Sequence, residues 1–162
     1  MTKIVKGISL LLAVSALLCL LCACGDSGAK DDIPVADIVT AVDAALANDA
    51  LVPVDEAYVQ GRLKVDTSVC TEYAVKLNSV STTIDEYGVF KAKDADMAKA
   101  VAEDVQAYLD ERLATWMEEY LPEEKPKVES AEVRTEGVYV MYAILSDADK
   151  SAAFGALEDT VK

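Results

Sequence analysis

Carboxylates, lysines and cysteines carry the reactive side chains of this 162-residue chain. Some of the carboxylates fall in adjacent pairs, among them Asp85-Glu86, Glu118-Glu119 and Glu123-Glu124. Acid–base hydrolysis of the paired-carboxylate kind needs two groups converging across a cleft. Neighbours on a strand point to opposite faces, and on a helix they diverge by about 100°. Adjacency therefore makes no catalytic dyad, and the pairs read as solvated charge. Asp94-Ala95-Asp96 and Asp147-Ala148-Asp149 raise calcium. A calcium loop also needs a glycine at its sixth position and a glutamate at its twelfth, and neither stretch has both: Lys99 and Ala152 stand where the glycine is required. Both read as acids at helix starts, where each contributes about 0.3–1 kcal/mol against the helix dipole. Lys91 and Lys93 lie two apart on one predicted strand, and so on one face. They are the candidates for holding a carboxylate or phosphate; the alternative is pairing with acids or guarding a sheet edge. The chain has no histidine. That removes the commonest general base, the usual zinc ligand and the Ser-His-Asp triads. It also leaves Cys70 without its usual base, and a lone cysteine reads first as a small buried apolar residue. No phosphate-binding glycine loop, metal spacing or nucleophile elbow occurs. No catalytic residue, metal site or cofactor is assigned.

The elements that position these groups follow from periodicity. Ile33 to Asn48 predicts a helix, with Val35, Ile38, Val39, Val42, Ala45 and Leu46 at helical spacing. Pro34 suits its first turn and Asn48 its stop. Residues 49–66 predict only one or two helical turns between Pro53 and Gly61. Glu72 to Leu77 alternates and predicts a strand; Ile84 to Lys93 predicts a second. Gly88 within it marks a bulge or a close approach. Asp94 is placed to cap a helix running to about Leu121, with Met97, Val101, Val105, Leu109, Leu113 (or Arg112), Trp116 and Tyr120 as its stripe. Some 27 residues would make it roughly 40 Å long. Val128 to Thr135 predicts a third strand. Val138 to Leu145, apolar on both faces, predicts a fourth that lies centrally in the sheet. Ser146 opens a final helix carrying Phe154, Leu157 and Val161. The order predicts an α+β domain: a mostly antiparallel sheet of about four strands, two hairpins each followed by a helix, with the long helix on one face. The second face must be covered by the first helix or stand as an exposed apolar patch.

The N-terminus predicts where this domain sits. Lys3 and Lys6 precede about 16 mostly apolar residues from Ile8 to Ala23. That length suits a secretory signal and is short for a permanent membrane span. Leu21-Cys22-Ala23-Cys24 resembles the lipobox of bacterial lipoproteins. Cleavage is expected between Ala23 and Cys24, with lipid attachment at Cys24 as the new N-terminus. Residues 1–23 are then the signal peptide, 24–32 a flexible tether, and 33–162 a single domain. The eight residues after Cys24 reach at most about 30 Å, which is expected to keep the domain near the outer face of the cytoplasmic membrane. The signal carries two lysines and no acid, so its removal moves the net charge from −14 to −16 and leaves 139 of the 162 residues. Of the four cysteines, Cys19 and Cys22 leave and Cys24 is acylated, so Cys70 is the one free thiol and no internal disulfide forms. Such an acidic surface disfavours nucleic acid and anionic lipid head groups; it suits a basic partner, or simple solubility.

The run Ile84-Asp85-Glu86-Tyr87-Gly88-Val89-Phe90-Lys91-Ala92-Lys93-Asp94 comes before Trp116 and Tyr120-Leu121-Pro122. Gly137-Val138-Tyr139-Val140-Met141-Tyr142-Ala143-Ile144 and Ser146-Asp147-Ala148 complete the set. Over residues 35–161 this resembles a family of small lipoproteins from Gram-positive, clostridia-like bacteria, built on a domain of unknown function. The resemblance implies an exported, tethered domain and carries over no activity and no site residue. The expected function is a non-enzymatic binding or interaction module, its partner an envelope protein or a small ligand. A carboxylate- or thiol-dependent hydrolase and a structural envelope component are the alternative readings.

Overall fold

The computed structural model describes residues 28–117 and 119–162. Helix α1, Val35–Leu46, starts at Pro34, which has no side-chain oxygen to cap it. Glu72 supplies the acceptor instead, taking the Val35 N–H at 2.9 Å. The helix ends at Ala47 in the left-handed conformation (φ 47°), an ordinary way to close a last turn. Strand β1, Leu51–Pro53, follows. A short helix α2, Glu56–Tyr58, runs on into a wide turn at Val59–Leu63. Strands β2, Cys70–Asn78, and β3, Glu86–Ala92, form an antiparallel pair with a bulge between Cys70 and Glu72. Helix α3 spans Ala95–Ala114, with Asp94 accepting from the Met97 N–H at 2.8 Å. A short helix α4, Lys125–Glu129, precedes strands β4, Glu132–Glu136, and β5, Tyr139–Ile144. Helix α5, Asp147–Val161, is capped by Ser146.

The domain is α+β, as expected. Its single antiparallel sheet has five strands in the order β1-β2-β3-β5-β4. The additional strand is β1, three residues long and ending in Pro53. Proline has no N–H for a ladder, so it belongs on an edge, and β1 is an edge. β5 is an inner strand, flanked by β3 and β4, and all six of its residues are buried. The third predicted strand begins four residues later than Val128, because residues 125–129 turn as helix α4. Helix α3 stops at Ala114 rather than near Leu121, and at 20 residues it is about 30 Å long. Thr115 closes it by giving its N–H to Glu111 and Leu113. The apolar stripe continues through Trp116 and Tyr120 without a helix beneath it. The Trp116 indole N–H is shielded from solvent and finds no acceptor among the described residues.

Helices cover both faces of the sheet. On one face Phe90, Ala92, Val140 and Ile144 meet Ala98, Val101, Val105 and Leu109 of α3. On the other, Tyr87, Val89, Tyr139 and Met141 meet α1 and α5 through Val35, Ile38, Val42, Phe154, Leu157 and Val161. The second face is therefore covered by the first and last helices together. Tyr87 fastens α1 down by donating to Asp43 at 2.8 Å, while Lys76 reaches the same carboxylate at 2.7 Å. Among the described residues no helix is long and apolar enough to cross a membrane.

The domain has two distinct poles. The N-terminal segment is held at the Lys91–Tyr139 end of the sheet. There the Ile33 carbonyl accepts from the Tyr139 hydroxyl at 2.8 Å and from Lys91 Nζ at 3.2 Å. The Lys30 N–H donates to the Val161 carbonyl at 2.7 Å. Helix α3 starts beside Ala92 at this same pole and runs to the opposite one, where Glu86, Ile144 and Asn78 end their strands.

Candidate functional site

The polar cluster of the second pole is built on Glu86. This residue opens β3 on the face that meets α3, and only 2% of it is exposed. A buried carboxylate needs donors, and three side chains supply them. The Tyr142 hydroxyl donates to Oε1 at 2.6 Å. The Tyr108 hydroxyl lies 2.9 and 3.0 Å from the two oxygens. Arg112 Nη1 lies 3.1 Å from Oε2 and donates to the Tyr108 oxygen at 2.8 Å. Tyr108 and Arg112 are four apart on α3, so they present to the same face. Tyr58, from α2, packs against the same core.

The strand register makes this convergence possible. Gly88 pairs with Tyr142 across β3 and β5. A Cβ on Gly88 would lie 2.4 Å from Tyr142 Cε1 and 2.9 Å from Val75 Cγ2. The missing side chain lets the tyrosine ring lie over the backbone and extend its hydroxyl to Glu86, two residues away on the same face. Tyr142 also packs edge-on against Tyr108, with centroids 6.0 Å apart, and beside Phe90 at 6.5 Å. Burial pushes the hydroxyls of Tyr142 and Tyr108 far up, and the Glu86 charge adds to it. Burial opposes the Arg112 charge, but Tyr108 and Glu86 outweigh it and raise the guanidinium.

A second cluster adjoins the first. Lys127 Nζ reaches Asp85 at 2.7 Å, Glu124 at 2.8 Å and Thr83 Oγ1 at 3.2 Å. Glu124 also accepts the Ile84 N–H at 3.1 Å. Burial alone would raise the Glu124 carboxyl; the hydrogen bonds from Lys127 and Ile84 hold it below its usual value. The cluster clips α4 to the segment leading into β3. A cleft of about 160 Å³ opens between the clusters, lined by Tyr58, Asn78, Thr83, Asp85, Glu86 and Arg112 among others. A wider one of about 420 Å³ lies between α4 and the start of α5, lined by Pro126, Glu129, Ser130, Leu145, Ser146 and Asp147 with Lys127. Lys150 gives its ammonium to the Ser130 carbonyl nearby and pairs with Asp147.

The residues singled out in the sequence are dispersed. Lys91 sits at the first pole, on the Ile33 carbonyl and 3.8 Å from Glu72. Lys93 lies beyond the end of its strand and donates to the Ser68 carbonyl at 2.7 Å. The two lysines share no partner. The Cys70 thiol is half-buried, and burial, aided by the Asp66 charge, pushes it up to about 11. Asp94 and Ser146 are helix caps. Among the described residues no group of three or more acids or cysteines converges on a metal position. Ala23, Cys24 and Glu118 lie outside the described residues.

Two acids read as solvated are inside: Glu86 and Glu124. For Glu86 a signal existed. It stands first on the alternating face Glu86, Gly88, Phe90, Ala92, whose other members are small or apolar. For Glu124 the partner Lys127 is three residues away, within one helical turn. Chemically, Glu86 is a filled acceptor. Its donors are two tyrosines that hold their protons and an arginine that keeps its charge. Such a group clasps α3, β3 and β5 together. The outer rim of the small cleft, with the Tyr58 ring, the Asn78 amide and Thr83, offers polar atoms to a surface laid on it.

The family model of a domain of unknown function, DUF4358, matches residues 44–145. That span contains the whole sheet, α3 and the Glu86 cluster, and leaves out α5 and most of α1. No curated protein and no solved structure matches the chain.

Proposed function

The chain belongs to the DUF4358 family of domains of unknown function, and from that premise we propose that it is a membrane-tethered interaction module, non-enzymatic and exported. Its anchor is a lipid on Cys24, read from Leu21-Cys22-Ala23-Cys24, and its place is the outer face of the cytoplasmic membrane. It holds an envelope protein at the pole that faces away from the membrane.

The observation that carries this reading is the opposition of the two poles. The segment that leads back to Cys24 is fastened at the Lys91–Tyr139 end. Both clefts and the exposed side chains of Leu113, Met117 and Tyr120 belong to the other end. A chain held at one end and open at the other is arranged to meet something beyond the membrane surface. The groups that would serve an enzyme are committed elsewhere. Glu86 is saturated, Lys91 and Lys93 bind carbonyl oxygens, and the thiol is raised to about 11, far from the thiolate that a nucleophile needs near neutrality.

The test has two arms. Labelled palmitate should enter the wild-type chain and not the Cys24→Ala variant. Capture of the tagged full chain from detergent-solubilised membranes should recover one protein in stoichiometric amount. A chain that keeps residues 1–23 and carries no lipid removes the anchor. Repeated capture with no stoichiometric protein removes the interaction module.

A further inference from the structure

We propose that the pole opposite the tether docks a basic, amphipathic protein segment on Leu113, Met117 and Tyr120. This rests on the interaction-module reading and names the chemistry of the partner. Large apolar side chains are exposed at few places in the described chain, and three of the five lie on residues 113–120: Met117 is 65% exposed, Tyr120 49% and Leu113 40%. They follow from the early end of α3. The stripe of that helix continues past Thr115 while the chain turns, through Trp116 N–H to the Leu113 carbonyl and Tyr120 N–H to the Met117 carbonyl. Trp116 folds inward against the core, and its neighbours are left outward. Exposed apolar groups gathered on one segment mark an interaction surface.

Charge selects the occupant. Arg112 and Lys127 are turned inward, the first 16% exposed on Glu86 and the second 20% exposed on Asp85 and Glu124, and the exposed Lys64 is held by Glu111 at 2.7 Å. Glu119 and Glu123, which flank Tyr120 in the chain, are exposed. Along residues 110–123 acids outnumber basic residues five to one, so the stretch that carries the apolar residues is acidic. A second copy of a chain of net charge −14 brings the same sign and is repelled. Anionic lipid is repelled in the same way, and the tether enters about one helix length away. A segment that offers apolar side chains between lysines or arginines meets both features at once.

The chain contains one tryptophan, Trp116, so its emission reports on this surface directly. The experiment uses the full chain in phosphatidylcholine vesicles. The probe is a tryptophan-free helical peptide of leucine and lysine, with its glutamate counterpart as comparison. The lysine peptide should shift Trp116 emission with an affinity that falls as salt is raised. Met117→Ser with Tyr120→Ser should weaken it at least tenfold at an unchanged thermal midpoint. Asp31→Asn with Asp32→Asn, at the tethered pole, should leave it within about twofold. Equal binding by the double serine variant overturns the proposal, and so does equal binding of the glutamate peptide. A wild-type dimer in detergent that the double variant abolishes assigns the surface to a second copy. A Trp116 shift on transfer from detergent to vesicles without peptide assigns it to lipid. Either result overturns the proposal and leaves the capture experiment, which uses the wild-type chain, to decide the broader reading.

Discussion

The Tyr142 hydroxyl meets Glu86 Oε1 at 2.6 Å by passing over Gly88, its cross-strand partner. One glycine thus decides whether a buried carboxylate on β3 is satisfied from β5. The same carboxylate receives Arg112 and Tyr108 from α3. The cluster locks the long helix to the sheet at the pole where the clefts open.

Removing one partner of a buried ion pair leaves the other charge uncompensated. Arg112→Met should therefore lower stability by about 3–5 kcal/mol. Tyr142→Phe, which removes one charge-assisted bond and keeps the ring, should cost about 1.5–3 kcal/mol. Urea unfolding followed by circular dichroism measures both. If Arg112→Met unfolds with the wild-type midpoint, the guanidinium does not hold Glu86.

Two glycines separate close packing from backbone freedom. Gly88→Ala drives a methyl into the Tyr142 ring and Val75 and should destabilise by about 1–3 kcal/mol. Gly155 lies inside α5 with nothing within 4 Å of a new Cβ. Gly155→Ala should stabilise by about 0.5–1 kcal/mol, since alanine favours the helix. Thermal midpoints of the two variants should move in opposite directions, and a shared direction would contradict the packing described.

Alkali should unfold the domain early. Burial, first, and the neighbouring carboxylates Asp43 and Glu86, next, raise the hydroxyls of Tyr87, Tyr108 and Tyr142 above the ordinary value of 10.0. The folded state keeps these protons while the unfolded chain loses them above pH 10. Their contribution is complete below pH 10 and is lost as pH rises through the folded values. Stability measured by denaturant titration from pH 8 to 11.5 should hold level and then fall steeply past pH 10. Tyr142→Phe should soften that fall.

Burial pushes the Cys70 thiol from its ordinary value of 9.0 up to about 11. At pH 8 its thiolate fraction is on the order of 100-fold below that of an ordinary thiol. Alkylation by iodoacetamide in the folded protein should be slow at pH 8 and gain speed toward pH 11. Fast alkylation at pH 7 would restore the thiol as a nucleophile.

Local pattern alone determined much of this protein. Helical spacing located α1 and α5, alternation located β2 and β3, a run apolar on both faces located β5, and Asp94 and Ser146 took the capping positions expected of them. These depend on residues within a few positions of one another, which a linear reading contains. The tertiary structure decided what distant segments decide together. β1 is too short to show alternation and exists because Leu51 meets Asn78. Residues 113–121 carry a helical stripe, yet the chain leaves the helix at Thr115. Glu86 looked like half of a solvated pair; the register of β3 on β5 and the placement of α3 turned it inward and supplied its donors. Burial of a charge is a property of everything packed around it, and those neighbours stand 22 to 56 residues away in the chain.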